Sequence, residues 1–463
     1  MQDLTEGPIA RHLLKMGGVL LLNALASTVF ALINLYWLGR LGPTAQAAVT
    51  LAAMPMMLAL TLMPVLSMGA GVLLSHAVGA KDHGRVDRIF NEAFGASLIV
   101  SALVALVAWS CRDALSHVMT ADAATAATIA SYYGWFIPSI AVQIPMLVLA
   151  TMLEFTGNVR AGALAQVGTV ALGAVATPVL MFGWLGMPAM GVDGNGAGSL
   201  LACSLVMLAL LGYLARKDAY LRMRPRLWFA WPQELWSAIK IGIPAGIGSG
   251  VVAVSLLAIG LMLRPFGPVE QAGFAVGQRA FQAGLMPLTA LTGAICIIVG
   301  QNYGAGLRDR VNETLRTGLV FACVLVPVLL LVFESLAPWI GSRFSDDAQV
   351  VAASASFMRI TAIDFIPLCL ANTAFAVLSG MGNTRAGLIA QLLHMVLLVC
   401  VAGSLSMLAG FRPVWIWWSM VAAGSTQALM AWWFLRREFG RPAEPAPLAA
   451  DDGLAAASLP ATR

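Results

Sequence analysis

GNVRAGALAQ at residues 157–166 returns as GNTRAGLIAQ at 382–391, a shift of 225 residues. Other stretches keep nearly the same shift. LLKMGG (13–18) aligns with AIKIGI (238–243), pairing Lys15 with Lys240 and Gly17 with Gly242. LGP (41–43) aligns with FGP (266–268), and VGAKDHGRVDR (78–88) with YGAGLRDRVNE (303–313), which pairs Gly79 with Gly304 and Arg85 with Arg310. Leu62-Met63-Pro64 matches Leu285-Met286-Pro287 at a shift of 223, so a small indel lies between the blocks. Matches in the same order at one shift mark an internal duplication.

The duplicated unit is membrane-embedded. The chain has 463 residues, 59% of them hydrophobic and 11% charged. A soluble domain carries roughly 25% charged residues, so this chain cannot cover a globular surface with charge. A spanning helix with its connector takes roughly 30–40 residues, which leaves room for about 12 to 15 segments. Apolar runs predict twelve helices, at 12–39, 45–79, 86–111, 122–154, 161–184, 192–215, 237–264, 270–303, 311–341, 347–379, 386–410 and 413–435. Kinks are expected at Pro55, Pro64, Pro138, Pro145, Pro287, Pro327 and Pro367, each of which removes a backbone donor inside an apolar run.

The repeat shift covers six helices. Six is even, so both halves enter the membrane in the same sense. That implies parallel repeats about an axis along the membrane normal, with a central cavity between them. The expected organisation is an N-terminal six-helix lobe (1–215), a linker (216–236), a C-terminal six-helix lobe (237–437) and a disordered cytoplasmic tail (438–463). The linker, rich in Arg, Trp and Pro, reads as an interfacial amphipathic segment.

Charge placement sets the orientation. Of 27 Lys and Arg residues, 20 fall on the side of the termini, five on the other side, and Arg279 and Arg359 inside helices. The first side is therefore expected to be cytoplasmic. The basic residues form no stripe with interleaved aromatics, so no nucleic-acid partner is expected. The six cysteines make no CxxC pair and read as small hydrophobes. No HExxH, GxSxG or phosphate-loop motif marks an enzyme, and GVDGNGAGS (191–199) lacks the GK[ST] ending. The N-terminus shows no cleavable signal peptide.

Several motifs resemble the multidrug and toxic compound extrusion family. LTEGPI (4–9) is similar to the family's N-terminal sequence, and INLYWLGRLG (33–42) to the end of its first helix. VGAKD (78–82), VGQNYGAG (299–306), the two GN-x-R turns and GMPAMGVDGNGAGSLLA (186–202) resemble further family stretches, in order, across residues 4–437. The resemblance implies an all-α, twelve-helix, two-lobed exporter of organic cations and amphipathic drugs in the inner membrane. It also implies antiport against inward protons or sodium ions. Many relatives carry an acidic residue in the first helix, in a V-D-[TM]-x-x-x-G pattern. Here the matching position is Asn34, which cannot exchange a proton near neutral pH, and its repeat partner is Ile259. That site therefore cannot carry a proton mechanism here, although an amide can still ligate sodium.

Ionisable groups inside spans are functional candidates. Asp364, in the tenth span, leads as the cation-coupling residue together with Asn34, against a structural ion pair of Asp364 with Arg279 or Arg359. Arg279, Gln278, Gln282, Tyr36, Gln143, Asn372 and His394 are the candidates for lining a substrate cavity, against helix–helix hydrogen bonding or the interfacial aromatic belt. Glu154 reads rather as the partner of a cytoplasmic arginine. No cofactor or metal is expected beyond the coupling ion, and the chain is expected to work as a monomer. The alternative function is a flippase for lipid-linked precursors or polysaccharides, which calls for more cationic residues in the cavity.

Overall fold

The computed structural model describes residues 3–60, 63–216, 221–228, 233–408 and 410–441. Among these the chain forms fourteen α-helices and no strand. They are α1 (Ile9–Leu41), α2 (Pro43–Leu60), α3 (Met63–Gly79), α4 (His83–Ser110), α5 (Arg112–Met119), α6 (Ala123–Phe155) and α7 (Val159–Phe182). Then follow α8 (Asp193–Leu214), α9 (Leu235–Leu263), α10 (Pro268–Gly304), α11 (Arg308–Ser342), α12 (Ala348–Gly380), α13 (Thr384–Ser406) and α14 (Pro413–Phe439). Ten are long and apolar enough to cross a membrane. The α2–α3 pair and α14, whose tryptophans lower its hydropathy, complete the twelve spans.

The second expected span is thus two helices, α2 and α3, on either side of residues 61 and 62, which lie outside the described residues. The short helix α5 occupies what the apolar pattern leaves as a loop, because its eight residues are amphipathic. Helices α2, α6, α10, α11 and α12 continue through their prolines. Most of the expected tail, from residue 442 on, lies outside the described residues.

Each lobe is built around one helix. In the first, α6 packs on α8, α4 and α7; in the second, its repeat mate α12 packs on α10, α14, α11 and α13. The opening motif is the turn that ends each of these central helices. Gly157 and Gly382 adopt φ of 84° and 89°, a region that costs a residue with a Cβ far more than glycine. The next residues close the turn, with Asn158 N–H on Leu153 O at 3.1 Å and Asn383 N–H on Leu378 O at 2.8 Å.

The end of the bundle that carries residues 3 and 441 is called basal, and the other end distal. The lobes meet through α3 on α9 and α10, and through α1 on α10 and α11. These contacts gather in the basal half. A Cβ added at Gly79 would strike the carbonyl oxygen of Gln301, and one at Gly304 would strike that of His76. Gly79 and Gly304 are repeat mates, as are His76 and Gln301, so α3 and α10 cross about the pseudo-twofold axis at backbone contact. The seam between α3 and α9 is equally close, since a Cβ at Gly242 would strike the carbonyl of Val65. The related seam between α1 and α10 is looser: a Cβ at Gly17 would come within 3.9 Å of Ala290 O.

Three apolar clusters follow from this packing. One fills the first lobe and another fills the distal part of the second. The third is shared between lobes at the basal end, joining Leu4, Ile9, Leu13 and Phe155 to Ile295, Ile298, Val377 and Leu435.

Candidate functional site

Above the basal seal lies a cavity of about 450 Å³ bounded by α1, α3, α6, α10 and α12, and so by both lobes. That volume is in the range of small-molecule sites. Its walls are Leu20, Ala24, Met68, Phe155 and Phe375, with Thr289, Thr292, Asn372 and Ser379 as neutral polar groups. One ionisable carboxylate lines it, that of Glu154.

The sequence places Glu154 there through the last turn of α6. Gly157 stops the helix, the chain reverses, and α7 runs back alongside with Gly162 and Gln166 toward α6. A Cβ at Gly162 would strike Ala150 O and Glu154 Cγ at 2.5 Å, so the helices meet as closely as a glycine allows. Gln166 Nε2 then donates to Glu154 Oε1 at 3.1 Å. Glu154 is 8% exposed and, among the described residues, forms no ion pair. Among the described residues the ion pairs are Arg85–Glu234, Arg112–Asp113, Arg224–Asp87 and Arg441–Glu438. The arginine expected beside Glu154 is replaced by a neutral amide. Its repeat mate is Ser379, on the opposite wall of the same cavity.

Asp364 sits elsewhere. It is buried at the middle of α12, and its Oδ1 has no hydrogen-bond partner. A Cβ at Gly424 of α14 would strike that oxygen, so the carboxyl points into the packing of the second lobe. His394 of α13 approaches the backbone of the neighbouring Ala423, with a buried Nδ1 lacking a partner. Asp364 and His394 therefore converge on one short stretch of α14. Neither arginine proposed for Asp364 pairs with it: Arg279 is exposed on α10, and Arg359 Nε donates to Glu334 O at 3.3 Å.

The other candidates are dispersed. Asn372 lines the inter-lobe cavity. Asn34 and Gln278 are half-buried, each with a buried carbonyl oxygen lacking a partner, on the distal parts of α1 and α10. Gln282 is exposed and Gln143 half-buried. Tyr36 is exposed with the Arg40 guanidinium 5.4 Å from its ring centroid. Arg112 over Trp109 and Arg343 over Trp339 repeat that arrangement at the distal end, as expected of an interfacial belt.

Two six-helix repeats around an inter-lobe cavity with a few polar groups among apolar walls define the architecture of a membrane transporter. The MatE family model matches residues 20–179 and 244–403, one stretch in each lobe. The chain belongs to this family, the multidrug and toxic compound extrusion family whose motifs it resembles. It is 26% identical over 429 residues to a probable multidrug resistance protein NorM of Deinococcus radiodurans, covering 89% of this chain and 92% of that one. It is 20% identical over 427 residues to a multidrug export protein MepA of Staphylococcus haemolyticus, covering 92% and 93%. A solved MOP-superfamily transporter from Pyrococcus furiosus superposes with a TM-score of 0.86 at 19% identity, over 94% of this chain and 97% of that chain.

Proposed function

We propose that the protein is a secondary active antiporter that exports organic cations or amphipathic drugs in exchange for protons or sodium ions by alternating access. The observation that carries this reading is the lone carboxylate of the inter-lobe cavity. Glu154 faces apolar walls and a few neutral polar groups, and among the described residues its carboxyl accepts one hydrogen bond, from Gln166, and forms no ion pair. Such a group attracts a cation and the walls accept the apolar body that carries it. The names of the relatives, which speak of multidrug export and resistance, point the same way.

In this reading the lobes rock about the cavity, and the basal closure seen here is one end of the cycle. The basal end faces the cytoplasm, following the excess of Lys and Arg there. Coupling is assigned to Asp364 and Asn34, with Glu154 as the group for which substrate and coupling ion compete. Asp364 acts within the second lobe, where taking up a proton would change its fit against α14. The flippase alternative has less support, since Arg279 and Arg359 are not among the residues lining the cavity.

The test is dye efflux from reconstituted vesicles under imposed pH or sodium gradients. Gradient-driven export of a cationic dye, abolished when the gradient is collapsed, supports the reading. Export indifferent to both gradients overturns it.

A further inference from the structure

Resting on the antiport reading above, we propose that Gln301 is a positioning residue of the basal gate. Its side-chain amide ties the turn that carries Glu154 to the N-terminal strap, residues 3–7, and the strap must leave its seat before the lobes part at the basal end.

Gln301 is 1% exposed and uses both ends of its amide between lobes. Nε2 donates to the carbonyl of Phe155, the residue after Glu154, at 3.2 Å. Oε1 accepts the N–H of Leu4 at 3.3 Å. The strap leads into α1 of the first lobe, yet α10 and α11 of the second lobe grip it. Asn302 Nδ2 donates to Leu4 O at 3.2 Å, Arg310 Nη2 donates to Gly7 O at 3.0 Å, and Leu4 itself is 0% exposed. Parting the lobes breaks the Gln301–Phe155 bond and strips Leu4 of its apolar cover. A buried amide left without a partner is disfavoured, so strap and seam release together.

The repeat sharpens the assignment. The mate of Gln301 is His76, whose Nε2 donates to Gly380 O at 2.7 Å; Gly380 is the mate of Phe155 and follows Ser379. Two related latches thus cross the seam directly beneath the cavity, each fixing the residue after a cavity-lining side chain. The segments leading into α1 and α9 differ, however. Arg85, the mate of Arg310, forms a two-pronged ion pair with Glu234 at 2.9 and 3.2 Å, and Glu92 accepts the N–H groups of Gln233, Glu234 and Leu235. The segment before α9 is held by a two-pronged ion pair and a buried carboxylate, whereas among the described residues the strap's hydrogen bonds to the second lobe go to its backbone N–H and carbonyl groups. The strap is therefore the member of the pair built to release.

The experiment measures the distance between spin labels at Arg160→Cys and Arg385→Cys, exposed repeat mates at the basal ends of the two lobes. The six native cysteines are replaced, and folding is checked by melting and monodispersity. Gln301→Leu and deletion of residues 2–6 are each expected to raise the population with parted labels about tenfold, as for the loss of one buried hydrogen bond. The double exchange His76→Gln, Gln301→His, which keeps a donor at each latch, is expected to restore the parent distribution. In vesicles the strap deletion changes kcat for dye export several-fold and leaves KM within about twofold. If Gln301→Leu fails to fold, the strap deletion decides alone. Parent-like distances in the folded variants overturn the gate assignment whatever the parent exports. A parent that exports no dye while the distances shift overturns the antiport reading instead.

Discussion

Glu154 of the first lobe and Asp364 of the second are both buried carboxylates, and the two are placed differently. Glu154 of the first lobe lines the cavity, and its mate Ser379 faces it across the same space. Asp364 of the second lobe turns away into its own lobe against Gly424, and its mate in the first lobe is the buried Ser139. Neither carboxylate occupies a position that is acidic in both repeats. The scaffold kept its symmetry where backbone must meet backbone, at the two GN turns and at Gly79 and Gly304. The chemistry diverged at the positions that those turns hold in place.

The largest effect that tests this contrast comes from moving the cavity charge. Glu154→Gln should reduce export of a cationic dye by on the order of tenfold or more, since a charge-assisted contact is worth about 1.5–3 kcal/mol. The exchange Glu154→Ser with Ser379→Glu puts the carboxylate on the opposite wall. It should recover part of that export, measured as efflux rate in the same vesicles. A double variant no better than Glu154→Gln would show that the first lobe's setting, with Gln166 as donor, is required.

Asp364 should behave in the opposite way. Gly424→Ala pushes a methyl into its carboxyl oxygen and should destabilise the protein by roughly 1–3 kcal/mol, seen as a lowered melting temperature in detergent. Asp364→Asn keeps the volume. It should leave dye binding to the purified protein within about twofold while lowering gradient-driven export, because it removes the ionisable group without touching the cavity. Loss of binding in Asp364→Asn would place it at the substrate and erase the difference between lobes.

The smallest effect concerns the strap. Thr5 holds the carboxyl of Asp3 below its ordinary value of 3.8, chiefly by a hydrogen bond from its hydroxyl. The contact is present at neutral pH and is lost as pH falls through that lowered value. Asp3→Asn should therefore change basal label distances only slightly near pH 7, and the parent should approach the variant in strong acid.

The sequence made the lobes legible because duplication repeats whole stretches, and because long apolar runs have few ways to fold in a bilayer. Helix α5 escaped because its pattern is amphipathic and its length only eight residues. The site was less legible. A span boundary does not say which face of a helix looks inward, so Asp364 and Arg279 could be imagined as partners when they share no contact. Glu154 reads from the sequence as the partner of a cytoplasmic arginine because it stands three residues before the glycine that ends α6. Two signals could have found it: its mate Ser379, small and polar at the same depth, and Gln166, returned to the same level by the turn. The cross-lobe role of Gln301 depends on where Leu4 lies, which nothing in the local sequence discloses.

The most direct measurement is equilibrium binding of a fluorescent lipophilic cation, and of an uncharged dye of similar size, to purified parent and Glu154→Gln. The cation should lose about tenfold in affinity and the neutral dye should change by less than twofold. Equal affinity of both proteins for the cation would contradict the assignment of Glu154 as the group in the cavity that recognises charge.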